Sequence, residues 1–234
     1  MKWRSLEESA PQVEARPLRE IYAERKELIA KYIPNEIQAI HSRVVEGLKQ
    51  SGASDRALQV GTRVPAFELP DHNGTLVRSS DLLANNYLVI CFFRGRWCPF
   101  CVGQMEAMNA IVPRLRELRT SMIAISPQTI QQSYFMAEQH KLGFPLMSDA
   151  GNNVARQFGL VYRVPEYQQE IYRRAFVNLP FANGDDSWEL PIPATYILGR
   201  EHEVLYRSAN ADYTERPEPT DIVQFLARLR QSVA

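Results

Sequence analysis

Cys98 and Cys101 stand three residues apart in "CFFRGRWCPFC" (91–101), directly after an apolar run. A C-x-x-C pair can be a redox dithiol, half of a zinc site or a structural pair. A structural zinc needs four ligands, commonly a second cysteine pair or closely spaced histidines. The third cysteine, Cys91, falls inside the apolar run, and His41, His72, His140 and His202 are scattered. No metal is expected, and Cys91 reads as a small core residue. A redox dithiol needing neither metal nor organic cofactor is the expected chemistry.

Thiol chemistry runs through the thiolate, so the elements around the pair matter. "NYLVICFF" (86–93) is a continuous β-rich run, as expected of a strand buried on both faces. A helix is expected from Pro99 to about Leu118, with Pro113 as a kink, which puts Cys98 at the N-cap. Free amides and the positive end of the helix dipole favour a thiolate there. Arg94 and Arg96 add positive charge if their side chains turn toward the sulfur. Trp97 is expected to shield one side of the dithiol and leave one sulfur exposed.

Further along, "SMIAIS", "FPLMSD", "PATYILG" and "VLYRSA" read as strands, and "VPAFELPDHNGTLVR" as two more around a turn at Asn73-Gly74. Helices are expected in "QTIQQSYFMAEQHKLG", closed by Gly143, in "NNVARQFG" and in "PTDIVQFLARLRQ". Apolar strands alternating with helices imply an α/β layered domain over 58–234. Ahead of it, residues 1–57 form a helical extension and linker, with two amphipathic helices parted near Pro34. An apolar stripe says only that something covers it, so the arm packs on its own domain or forms a homodimer contact.

Composition narrows the partners. The 234 residues carry 27 basic and 27 acidic side chains, which gives no electrostatic case for nucleic acid or an anionic membrane. No apolar stretch approaches the roughly 20 residues of a membrane span. The opening "MKWRSLEESAPQVEARP" lacks the apolar core of a signal peptide, and so few cysteines suit a reducing compartment, so cytoplasm is expected.

"FFRGRWCPFC", "SPQ", "PLMSDAGNNVARQFGL" and "IPATYILG", in this order, resemble the peroxiredoxin-like branch of the thioredoxin superfamily, the alkyl hydroperoxide reductase/thiol-specific antioxidant (AhpC/TSA) family. The resemblance covers roughly residues 60 to 232 and implies a thioredoxin-like fold, a central mixed β-sheet flanked by helices. The family's P-x-x-x-T-x-x-C signature puts its cysteine on Cys101, its threonine on Cys98 and its proline on Arg94. A later family arginine falls where Pro193 stands. W-C-x-x-C instead resembles thioredoxin, whose cis-proline would correspond to Pro193. "NLPFANGDDSWELP" then reads as an irregular loop at the substrate entrance, with Asp185, Asp186, Trp188 and Glu189 as candidates for substrate contact or proton transfer.

The resemblance implies an antioxidant oxidoreductase with two mechanisms open. In a thiol-dependent peroxidase, Cys101 attacks a hydroperoxide and Cys98 resolves the sulfenic acid to a disulfide, which a thioredoxin-type protein or small thiol reopens. In a disulfide reductase, Cys98 attacks and Cys101 releases the mixed disulfide. A redox-sensing protein whose arm binds a partner is a third reading.

Overall fold

A computed structural model describes residues 16–231, so most of the opening stretch read for a signal peptide lies outside the described residues. Two helices come first, α1 (Leu18–Tyr32) and α2 (Asn35–Gln50), parted at Pro34, which has no amide to continue α1 and serves as the N-cap of α2. A hairpin follows, β1 (Glu68–Pro70) and β2 (Leu76–Arg78). Asp71 Oδ1 accepts from the amides of Asn73 and Thr75 and so shapes its turn. Then come α3 (Ser79–Leu83), β3 (Tyr87–Phe92), α4 (Pro99–Glu117), β4 (Thr120–Ser126), α5 (Ile130–Gln139) and β5 (Leu146–Ser148). The remainder is α6 (Asn153–Gln157), β6 (Val161–Arg163), α7 (Glu166–Arg174), α8 (Leu179–Asn183), β7 (Glu189–Pro191), β8 (Ala194–Leu198), β9 (Val204–Ala209) and α9 (Pro219–Gln231).

Five strands form a mixed sheet in the order β5-β4-β3-β8-β9, parallel from β5 to β3 and antiparallel from β3 to β9. Both faces of β3 are buried. Val89, Cys91 and Phe93 join a core built with α1, α4 and α9, while Leu88, Ile90 and Phe92 join a second with Phe158 and Tyr196. The alternation of a strand explains why the run is apolar throughout.

Helix α4 runs from Pro99 with Pro113 inside it, as expected. Two local expectations change. Helix α5 ends at Gln139, and the left-handed residue behind it is Lys141 (φ 48°), with Leu142 N bonded to Ala137 O; Gly143 instead donates its amide to Asn109 Oδ1. The stretch "NLPFANGDDSWELP" is not irregular. Asn178 Oδ1 caps α8 by accepting from Phe181 N, Gly184 closes it at φ 72°, and β7 pairs with β6.

The arm packs on its own chain. Leu18 and Tyr22 enter the α4/α9 core. Pro17 gives α1 no side-chain cap, and Glu218 supplies one across the fold, its carboxylate accepting from the amides of Leu18 and Arg19 at 2.8 Å each.

Candidate active site

Strand β3 has β4 on one side and β8 on the other, so its C-terminal end is a point where strand connections diverge, the usual place for a site in an α/β sheet. The chain leaves it through Arg94-Gly95-Arg96-Trp97 and enters α4. Cys98 is the N-cap in extended conformation and Pro99 the first helical residue, as the sequence implies. Gly95 has φ 146°, and a Cβ there would lie 2.5 Å from Trp97 Nε1. Gly95→Ala is therefore expected to destabilise the protein by about 2 kcal/mol, read by urea unfolding; an unchanged midpoint would refute this tight turn.

Neither sulfur is exposed: Cys98 is 1% accessible and Cys101 0%. The expectation of one open sulfur fails because a second layer covers the dithiol. Tyr22 of α1 donates its hydroxyl to Phe100 O and meets that ring edge-on at 5.1 Å, and Arg25 bonds to Pro99 O. The arm thus grips the first turn of the helix that carries both cysteines.

Arg94, 2% accessible, lies beside the N-cap sulfur, its Nη1 3.9 Å from Cys98 Sγ. Its guanidinium carbon is 4.4 Å from the Tyr213 ring centre and 4.7 Å from that of Trp97, and Nη2 donates to the Tyr172 hydroxyl. Aromatic faces stabilise a desolvated cation without neutralising it. Arg96 does not share this role. Its amide donates to Gln128 Oε1 at 3.0 Å and its guanidinium lies over Phe135, away from the dithiol. Trp97 covers Arg94 and packs on Tyr172 at 5.2 Å.

Burial opposes a charge on Cys98, but the Cys101 thiol, then Arg94 and Arg216, then the Cys101 amide outweigh it and lower its pKa. Cys101 moves the other way, raised by burial, by the hydrogen bond to Cys98 and by its negative charge. The opposite shifts favour one shared proton, on Cys101, and a charge on Cys98. Cys91 stays a core thiol, pushed up to about 12 by burial and facing Thr195 Oγ1 at 3.8 Å.

The other candidates stand elsewhere. Pro193 is at the correct end of the sheet, one step past the Phe92–Ala194 pair, but its peptide bond is not cis. Ile192 N donates to Leu160 O and Pro193 O accepts from Asn210 N, so an extended trans path already satisfies the backbone. Asp185 Oδ1 accepts from Ser187 N, Glu189 pairs with Arg156 at 2.7 Å, and Asp186 is exposed. Trp188 packs with Trp97 around Val164, Tyr172 and Leu190, under Arg173. Among the described contacts none of these four touches either sulfur. Of the four, Trp188 alone packs in the cluster that Trp97 joins.

Sequence reasoning misses Arg216, Tyr22, Tyr172, Tyr213 and His41. His41, on α2, lies 6.2 Å from the Tyr213 ring and 6.5 Å from the Tyr172 ring, and burial with the Arg94 charge lowers its pKa to about 4. It is neutral at physiological pH. Gln104, three residues after Cys101 on one helix face, is the one partner with a local signal.

Comparison with known proteins agrees with this architecture. A Mycobacterium tuberculosis protein provisionally named a peroxiredoxin is 33% identical over 120 residues, 51% of this chain and 78% of its own length. The thiol-disulfide oxidoreductase ResA of Bacillus cereus is 24% identical over 110 residues, 47% of this chain and 62% of its own. The crystal structure of peroxidoxin BcpB from Mycobacterium tuberculosis superposes with a TM-score of 0.58 at 23% identity, covering 74% of this chain and 98% of that one, which shows the shared fold. The AhpC/TSA family description matches residues 60–207, and with the dithiol at the end of β3 this chain belongs to the AhpC/TSA family.

Proposed function

We propose that this cysteine-based oxidoreductase is a thiol-dependent peroxidase in which Cys98, not Cys101, attacks the peroxide. The observation that carries the assignment is the placement of Cys98 at the α4 N-terminus, beside the Arg94 guanidinium and next to a protonated Cys101. The Cys98 thiolate attacks one peroxide oxygen, the O–O bond breaks, and two electrons pass from sulfur to the peroxide. The departing hydroxide or alkoxide takes a proton from water and leaves as water or an alcohol, and Cys98 becomes a sulfenic acid. Cys101 then displaces that oxygen as water and closes a disulfide, and a thioredoxin-type protein or small thiol reopens it. In a site this closed, a small hydroperoxide is a better-fitting substrate than a protein disulfide. The likeness to ResA and the low pKa of Cys98 favour disulfide reduction as the second reading.

Mass spectrometry of Cys98→Ser and Cys101→Ser after hydrogen peroxide tests this. Sulfenic acid is expected on Cys98 in the Cys101→Ser protein and little oxidation in Cys98→Ser. Sulfenic acid on Cys101 would reverse the roles. A slow peroxide reaction beside a rapid mixed disulfide on Cys98 would establish the reductase.

A further inference from the structure

Each sulfur has one arginine at 3.9 Å, and the second of these lies outside the family-matched segment. Arg216 follows β9, beyond residue 207, and its Nη2 is 3.9 Å from Cys101 Sγ. Its fork is held in place. Nε donates to Gln104 Oε1 at 2.8 Å and Nη1 to Glu215 O at 2.7 Å. Gln104 is buried, and its other end donates to Thr195 Oγ1 at 3.2 Å, on the strand residue paired with Cys91. The helical arm holds the same segment from outside, through Lys26–Glu215 at 2.9 Å and the capping of α1 by Glu218.

We propose that Arg216 stabilises the negative charge of Cys101 in the two steps where that sulfur carries it, and that the arm exists in part to position this arginine. The inference rests on the assignment of Cys98 as the attacking sulfur. In the first step Cys101 gives up its proton and attacks the Cys98 sulfenic sulfur. The S–S bond forms, the S–O bond breaks, and the departing hydroxide takes a proton and leaves as water. In the second step a reductant thiolate attacks Cys98 Sγ, the S–S bond breaks, and Cys101 leaves as a thiolate. A second reductant thiol then frees Cys98. Cys101 must lose its proton in the first step while burial opposes its charge, so a cation 3.9 Å from its sulfur acts where that charge is least favourable. The other titratable groups facing Cys101 are Cys98 and Arg94 from the β3–α4 junction, Tyr22 from α1 and Tyr162 from β6. Among these described groups the cation is Arg94, whose nearest sulfur is Cys98 and which lowers Cys101 less than Arg216 does.

Full-length Arg216→Gln and Arg216→Lys proteins, given one equivalent of hydrogen peroxide and acid-quenched over time, separate the steps by mass spectrometry. Conversion of sulfenic acid to disulfide is expected to slow about tenfold in Arg216→Gln at neutral pH, with its pH midpoint raised by about one unit. The preceding peroxide step should fall by less, because Arg94 remains, and Arg216→Lys should recover part of the rate and midpoint. Equal slowing of both steps, or an unmoved midpoint in either variant, overturns the inference. If wild type and Cys101→Ser form no sulfenic acid on Cys98, the peroxidase assignment fails instead, and the inference with it. Should Arg216→Gln lose its fold by circular dichroism, the midpoint in Arg216→Lys decides alone.

Discussion

Arg94→Met is expected to lower the rate of peroxide reduction at neutral pH by about two orders of magnitude, the usual cost of removing a preorganised donor from a developing oxyanion. Two effects act in the same direction. The guanidinium faces Cys98 Sγ in a desolvated aromatic enclosure, where a charge interacts far more strongly than in water. Burial opposes the thiolate, and after the Cys101 hydrogen bond this guanidinium does most to bring the Cys98 pKa down to about 5. Its loss therefore moves the acid limb of the rate profile upward. Methionine fills the same space and Arg94→Lys retains the charge without the fork, so the order wild type, lysine, methionine distinguishes charge from packing. Stopped-flow peroxide kinetics across pH provides the measurement. A methionine variant with the wild-type rate and acid limb would remove Arg94 from the mechanism.

The same pair makes stability depend on pH. A thiol whose folded pKa is depressed contributes stability above the unfolded value, about 8.5, that is lost as pH falls toward the folded one. The reduced protein should therefore lose stability between those limits as it is acidified, and Arg94→Met should flatten that slope. Oxidation removes the thiolate and leaves the buried guanidinium without its counter-charge. This favours the reduced state and makes the disulfide readily reducible by a thiol partner.

Tyr22→Ala is expected to raise the rate at which a bulky maleimide alkylates Cys98 by about a hundredfold, while the reaction with hydrogen peroxide changes little. Tyr22 is buried in the dithiol core and ties α1 to Phe100 through its ring and hydroxyl. Truncating a buried aromatic costs about 3–5 kcal/mol. Helix α1 should absorb most of that cost, because Tyr22 is one of the two buried residues with which it enters the core, the rest of the arm being held separately through α2 against α7. Access by a large reagent follows the local opening of α1, and about 3 kcal/mol off that opening is about two decades in rate. Equal alkylation of wild type and Tyr22→Ala would mean that the arm does not guard the site.

Much of this protein is local chemistry and is therefore legible in its residues. The β3 run is apolar because both faces are covered. Pro34 must part the arm helices, and Pro99 behind Cys98 must start one, which puts a thiol at a helix N-terminus. The loop before Pro193 escapes such a reading because its order comes from pairing with β6 and from Arg156 on α6, neither visible in its own composition. The state of each sulfur is likewise out of reach. Tyr22 meets Phe100 across 78 residues, Arg94 meets Tyr172 across 78, and Arg216 meets Cys101 across 115. A solvated arginine and a catalytic one have the same sequence, and only folding gives one of them a thiolate and takes away its water. Residue order alone places a reactive dithiol at the end of a buried strand. Folding favours the charge on Cys98, brings one guanidinium within 3.9 Å of each sulfur and closes the arm over the site, because each of these depends on desolvation and on charges brought together from distant segments.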